Sequence, residues 1–243
     1  MSENEIVKHV ETAYKVAQDP EKNWLHKLKE ILIEIFIIVF AVTLSIWFHN
    51  WSDSLHERKE EREFLAGLQK DIRIDLEDAQ QDSAFYAHEL TGLQYFQRVG
   101  AGLPPNSDSS KLYSTVFFSN TMLEPNVSRY EGLKGSGKFG IIENKDLLND
   151  IIDLHERVIK HLESLDGFYI DYVNRMGAFV QEHGQLNEVG DSIINSHDLL
   201  RMSQMRFHLG YGISFITSNL LRYHDTCIVH CQKLIGQIDK ELQ

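Results

Sequence analysis

The stretch Ile31–Phe48 reads ILIEIFIIVFAVTLSIWF and decides how the rest of the chain is interpreted. Glu34 is its one charged residue, and Thr43 and Ser45 are its only other polar residues. A helix of this length rises about 27 Å at ~1.5 Å per residue, which is close to the roughly 30 Å hydrocarbon core of a bilayer. The stretch therefore predicts a single transmembrane helix, which we assign to residues 30–51.

Tryptophan residues lie at both ends of this stretch. Trp24 precedes it, and Trp47 and Trp51 lie at its far end. Amphipathic rings at the two interfaces are typical of membrane-spanning helices, so these three residues are predicted interface anchors. A buried core helix of a soluble protein is the alternative, but a run that is apolar on every face favours the membrane. A cleavable signal peptide is disfavoured, because the 1–29 segment is mostly polar and no small-x-small site follows the run.

Glu34 is a candidate functional residue inside the membrane, since ionisable groups there often mark an ion or proton pathway. It lies only about one turn from Lys29 and Glu30, however. From that position its carboxylate can extend to the headgroups or pair with Lys27 or Lys29. A single acid without an intramembrane partner makes no proton relay, so we favour the interpretation that Glu34 extends to the interface.

Beyond residue 51 the sequence predicts helices. Apolar residues recur at intervals of seven from Leu65 to Leu93, and Asp75, Asp82 and Glu89 occupy the other inward positions. These acids argue against a two-stranded coiled coil, so the apolar stripe is expected to pack into a bundle. Helices are predicted from the membrane segment, with Ser52 as a candidate cap, to about Val99, from Asn144 to about Val180, from Ser196 to about Leu209 and from about Tyr211 to Leu242.

The predicted fold class is therefore all-α, with one N-terminal transmembrane helix that continues into a helical bundle of long amphipathic helices at residues 52–243. The charge of the chain bears on its partners. Acids outnumber bases 36 to 24, which gives a formal net charge of −12, and the basic residues are interspersed with acids. Proteins that bind nucleic acid need clustered Lys and Arg, so nucleic acid is not an expected partner.

Residues of the last helix have the chemistry of zinc ligands. His224, Cys227 and Cys231 fall at i, i+3 and i+7 on one helical face, with His230 nearby. The cysteines lie on the apolar stripe, and a single helix does not easily direct three side chains at one metal. Buried free cysteines are therefore the favoured interpretation, and no metal site or cofactor is predicted.

Acids of the first long helix are a second candidate cation site. Asp71, Asp75, Asp78 and Asp82 line one flank of the helix. Oxygen ligands suit calcium, but this spacing lacks a loop that could wrap around an ion. A solvated acidic face is the preferred interpretation.

The segment Gly132–Lys138, GLKGSGK, matches the GxxxxGK spacing of a phosphate-binding loop. That loop requires Ser or Thr at the next position, where this chain has Phe139, and it should follow a strand, which the sequence does not predict here. The glycines are instead expected to end a short helix and turn the chain. No nucleophile motif or HExxH pattern was found, so the chain is not predicted to be an enzyme.

Short motifs along the chain occur in a fixed order. They are the acid Glu34, then Asn50-Trp51-Ser52-Asp53, then Leu65, Leu68, Asp71 and Ile72, and finally Tyr130-Glu131-x-Leu133-Lys134-x-Ser136-Gly137-Lys138 with Ile142-x-Asn144. Together they resemble an uncharacterised bacterial family of single-pass membrane-anchored helical proteins, a domain of unknown function. His49 departs from the family's usual Asn. The resemblance implies that Gly137 is a structural turn, and it brings no catalytic residues.

Three functions are compatible with these features. The first is a non-enzymatic, membrane-anchored helical module that forms a homo-oligomer or docks a protein partner. The second is an oligomeric membrane-perturbing or channel-forming effector, for instance in cell defence, with Glu34, Thr43 and Ser45 facing a pore. The third is a helical metalloenzyme. The expected location is the bacterial inner membrane, and the family's basic N-terminus favours a cytoplasmic N-terminus and a periplasmic helical domain.

Overall fold

The computed structural model describes residues 24–188 and 193–243. Residues 1–23 of the predicted polar segment, and the side chain of the predicted anchor Trp24, lie outside this description. The α-helices of these residues are α1 (Trp24–Gly100), α2 (Ser107–Leu112), α3 (Ser128–Ser136), α4 (Lys145–Asp153), α5 (Lys160–His183), α6 (Ser196–Arg201), α7 (Ser203–Phe215) and α8 (Leu221–Leu242). No β-strand occurs in the described residues, so the predicted all-α class is confirmed.

Short helical turns join several of these helices. Single 3₁₀ turns cover Ser114–Phe117 and Lys138–Ile141. Stretches of π-helix, Leu154–Ile159 and Ile216–Leu220, connect α4 to α5 and α7 to α8 without a break. The chain therefore forms two long continuous helical stretches after α3, one from Lys145 to His183 and the other from Ser203 to Leu242.

Contacts within the chain divide it into two compact units, 1–61 and 62–243. In the first unit, α1 contains a segment that is long and apolar enough to cross a membrane by length and composition, and none of its most apolar 18-residue window is buried. The rings of Trp47 and Trp51 stack with their centroids 6.3 Å apart and remain about half exposed. The predicted domain boundaries at 29/30 and 51/52 stay predictions.

In the second unit, the apolar stripe of α1, which repeats every seven residues, faces the core. Leu65, Ile72 and Ala79 belong to one hydrophobic cluster, which also contains Cys227 and Cys231 from α8. Tyr86 and Leu93 belong to another cluster, formed largely with α5 and α7. Burial of large apolar side chains of this kind contributes about 1.5–3 kcal/mol each, so this stripe provides a main source of stability.

Several predicted helix boundaries are confirmed and others are wrong. Asn144 caps α4, because its Oδ1 accepts the backbone N–H groups of Asp146 and Leu147 at 3.1 Å. Ser52 lies inside α1 and caps nothing. The break expected near Gly210 is also wrong, since the chain breaks at Met202, whose ψ of 137° is extended, and is helical from Ser203 to Leu242.

Candidate functional site

The acidic face of α1 is the feature on which a site can be built. Asp75 and Asp82 are buried, which makes the predicted solvated acidic face wrong at these two positions. Glu89, one more heptad along, is 1 % exposed. Residues seven apart lie on the same face of a helix, so the three acids form a row. Buried carboxyl groups need hydrogen-bond donors, and these come from a distant part of the chain.

The donors lie in Ser119–Val127, a segment without regular secondary structure that we call the strap. The Ser119 hydroxyl donates to Glu89 Oε1 at 3.0 Å, and the Thr121 hydroxyl donates to Asp82 Oδ1 at 2.6 Å. Asp75 Oδ1 accepts both the backbone N–H and the side-chain amide of Asn126, at 2.8 and 2.7 Å. The strap therefore runs antiparallel to α1, with a contact at each acid of the row.

A fourth acid, Asp166 on α5, holds the middle of the strap. Its Oδ2 accepts the backbone N–H of Leu123 at 3.1 Å, and its Oδ1 accepts the Tyr86 hydroxyl at 2.8 Å. The Nε2 atom of His224 lies 3.6 Å from Asp166 Oδ1, and both side chains are almost fully buried. Acids from two helices therefore bind one extended segment between them.

One oxygen of each acid in the row has no hydrogen-bond partner among the described residues. These buried atoms are Asp75 Oδ2, Asp82 Oδ2 and Glu89 Oε2. Burial raises the pKa of Asp75 and of Asp82 above the usual range, although the bonds from Asn126 and Thr121 oppose this shift. Burial also raises the pKa of Glu89 to about 7. Burial thus disfavours the charged form of each acid in the row.

The structure separates the residues that were candidates for zinc ligands. His224 lies against Asp166, whereas Cys227 and Cys231 are fully buried free thiols in the hydrophobic cluster around Leu65. The prediction of buried free cysteines is confirmed. Among residues 24–188 and 193–243, no group of three or more His, Cys, Asp and Glu side chains could hold a metal ion.

The glycine-rich segment is the end of a helix. Helix α3 finishes at Ser136, and Gly137 follows in the left-handed conformation with φ of 69°, as a C-terminal glycine cap. A 3₁₀ turn then begins at Lys138, where a phosphate-binding loop would open an α-helix. The prediction that Gly137 is a structural turn is confirmed.

The polar residues of the apolar segment have partners within their own helix. The hydroxyls of Thr43 and Ser45 donate to the carbonyls of Val39 and Ala41, both at 2.8 Å. The Glu34 side chain is partly buried and also takes part in an interaction. These bonds satisfy the two hydroxyls, and both side chains are exposed.

Comparisons of the chain with models of protein families, with curated proteins and with solved structures found no match. The resemblance to the uncharacterised bacterial family therefore stays a prediction.

The strap was not predicted from the sequence. Its polar residues Ser119, Thr121 and Asn126 are ordinary loop residues, and the signal for them was indirect: three acids at inward positions of an otherwise apolar stripe.

Proposed function

We propose that the protein is a membrane-anchored, non-enzymatic helical module that binds a protein partner or further copies of itself. The observation that carries this proposal is the exposed apolar window of α1, none of which the chain buries. Phe36 is 67 % exposed and Phe40 57 % exposed within it. Each large apolar side chain left in water costs about 1.5–3 kcal/mol relative to burial, and a bilayer removes this cost along the whole window.

The hydroxyls in this window favour a tether over a channel. Thr43 and Ser45 already donate to carbonyls of their own helix. A hydroxyl bonded in this way can face lipid without a partner from another protomer. The channel-forming alternative gains no support from these two residues and rests on Glu34 alone.

A candidate docking face lies on α7 in the second unit. Phe207 is 69 % exposed and Tyr211 43 % exposed, and their rings stack with centroids 6.2 Å apart. Exposed aromatic residues held in a fixed geometry are favoured at protein–protein contacts, because they bury a large area at a low entropic cost. This face supports docking as the role of the helical unit.

Membrane attachment is tested by placing charge in the apolar window. Arginine costs about 2.5–3.5 kcal/mol near the middle of a membrane helix, so Ile37→Arg combined with Phe40→Arg is expected to move the protein from the membrane pellet to the supernatant. Ile74→Arg is the matched control, since Ile74 is an exposed isoleucine on the same helix in the second unit. Equal membrane fractions for the two variants would refute the anchor.

The docking role is tested by the mass of the detergent-solubilised particle, measured by light scattering after subtraction of the detergent. A particle with the mass of a monomer or dimer supports a tethered binding module. A discrete assembly of three or more chains that conducts ions in lipid bilayers, and loses conduction in Glu34→Leu, would replace the proposal with the channel alternative.

A further inference from the structure

The strap is attached to the helices chiefly through acids. Two of its backbone N–H groups, those of Leu123 and Asn126, donate to the carboxyl groups of Asp166 and Asp75. Its side-chain donors Ser119 and Thr121 also bind acids, as described above. Because these acceptors are acids, the strength of the attachment depends on their protonation state. Backbone carbonyls as acceptors would give no such dependence.

Detachment of the strap would expose part of the core. Leu123 is 1 % exposed and belongs to the same hydrophobic cluster as Leu65, Ile72 and Ala79 of α1. Solvent reaches the edge of the strap through a surface cavity of about 220 Å³. The residues that line this cavity are Asp78, Gln81, Asp82, Met122 and Glu124.

We propose that the strap is a proton-controlled closure, which covers the inward face of α1 while the buried acids Asp75, Asp82 and Glu89 are neutral and detaches as they ionise. The inference is independent of the membrane anchor, because every residue in it belongs to the second unit. It assigns a conformational role to a segment that has no regular secondary structure.

The three acids explain the direction of the change. Each has one oxygen that is buried and has no hydrogen-bond partner in the described chain. A neutral carboxyl group tolerates such burial better than a negative charge, which would have no hydrogen-bond partner at that oxygen. The donors of the strap oppose this effect, because they bind a carboxylate more strongly than a neutral acid, but burial is the larger influence on the pKa of all three acids. Detachment of the strap lets water reach the charge, so ionisation favours the open form.

The groups that face these acids do not neutralise the new charge. Glu89 faces Tyr169 and Tyr172 on α5, and burial raises the pKa of both phenols, so both stay neutral. Next to Asp75 lie His155 and Asp71. Burial lowers the pKa of His155, which disfavours a positive charge on this ring.

Asp82 has the most charged surroundings. Asp78 and Asp166 raise its pKa and His224 lowers it, each less than burial does. Asp78 and Glu124 line the same cavity as Asp82, and Glu124 belongs to the strap. An ionised Asp82 therefore adds a like charge beside an acid of the strap, which also favours detachment.

Glu89 sets the size of the effect. Its pKa is about 7 with the strap closed, against an ordinary value of 4.5, and the proposal assigns this ordinary value to the open form. A raised pKa in the closed form means that the closed form is fully stable below pH 4.5 and loses stability as the pH rises through 7. For this group alone, opening becomes about tenfold more favourable between pH 6 and pH 8.

The test is amide hydrogen exchange of the full chain in detergent at pH 6 and pH 8, corrected for the intrinsic pH dependence of exchange. We expect protection of strap peptides to fall about tenfold at pH 8, while peptides of α5 keep their protection. In Glu89→Gln, a neutral side chain that still offers an oxygen to Ser119, this fall should be largely abolished.

Glu77→Gln is the control for the change in net charge, because Glu77 is an exposed glutamate on the same helix. It should behave as the unmodified protein does. Equal protection of the strap at the two pH values in the unmodified protein would overturn the proposal without reference to any variant. An unchanged pH dependence in Glu89→Gln would also overturn it, as would a parallel loss of protection in α5.

Discussion

The contact between α5 and α7 allows a quantitative prediction at Gly212. A Cβ atom placed on this glycine would lie 2.2 Å from Tyr172 Oη, 2.7 Å from Tyr172 Cζ and 3.0 Å from Leu93 Cδ1. The Tyr172 hydroxyl cannot move away freely, because it donates to the carbonyl of His208 at 2.9 Å. Gly212→Ala must therefore displace a buried ring or separate the two helices.

Three contributions determine how Gly212→Ala changes the free energy of unfolding. Overpacking destabilises the fold by about 1–3 kcal/mol, and loss of the Tyr172 hydrogen bond costs roughly 1 kcal/mol more. The higher helix propensity of alanine offsets about 1 kcal/mol of this cost. We expect a net destabilisation of about 1–3 kcal/mol, measured by denaturant unfolding followed by circular dichroism.

Tyr172→Phe is the partner substitution, because it removes the oxygen that lies closest to the new methyl group. In that background Gly212→Ala should cost about 1 kcal/mol less, which is the coupling expected for residues in contact. Gly236→Ala is the control, since a methyl group on this exposed helical glycine of α8 meets nothing within 4 Å and should stabilise by about 0.5–1 kcal/mol. A Gly212→Ala variant as stable as Gly236→Ala would refute the close approach of the helices.

Two further predictions concern Gly137 and Glu34. Gly137→Ala places a side chain at φ of 69° and should destabilise the fold by about 1–2 kcal/mol in the same unfolding assay. Gly132→Ala, inside α3 with open space around it, should be neutral or stabilising. Equal effects of the two substitutions on the free energy of unfolding would contradict the left-handed turn. Glu34→Leu should leave membrane attachment and particle mass unchanged, as sedimentation and light scattering report, if this residue only reaches the interface. Loss of a defined assembly in that variant would instead assign Glu34 a role between protomers.

The helical fold was predictable from the sequence because long amphipathic helices carry a strong periodic signal. The heptads from Leu65 to Leu93, the cap at Asn144 and the turn at Gly137 depend on neighbouring residues alone, and all three agree with the structure. Their physical causes are local: burial of one face, a side-chain acceptor for free N–H groups, and a left-handed residue without a Cβ atom.

The break between the last two helices was mispredicted because glycine has two different uses. The predicted break, between about Leu209 and about Tyr211, falls at Gly210, yet both Gly210 and Gly212 lie inside α7. Gly212 permits the close approach of Tyr172, a residue 40 positions earlier in the chain. No local pattern distinguishes a glycine that ends a helix from a glycine that lets a distant ring approach, so this boundary required the tertiary structure.

The burial of the acids of α1 was also missed, because it too depends on a distant part of the chain. Their burial explains what packs against them. A second helix has already used its backbone N–H groups internally, so it could offer these acids only side-chain donors. An extended segment offers both kinds, as Asn126 does when its backbone and side-chain amides bind Asp75 together. Acids at the inward positions of an apolar stripe therefore favour an extended partner over a helical one. The sequence correctly argued against a coiled coil here, and the same three acids indicate why a strap takes the place that a second helix would occupy.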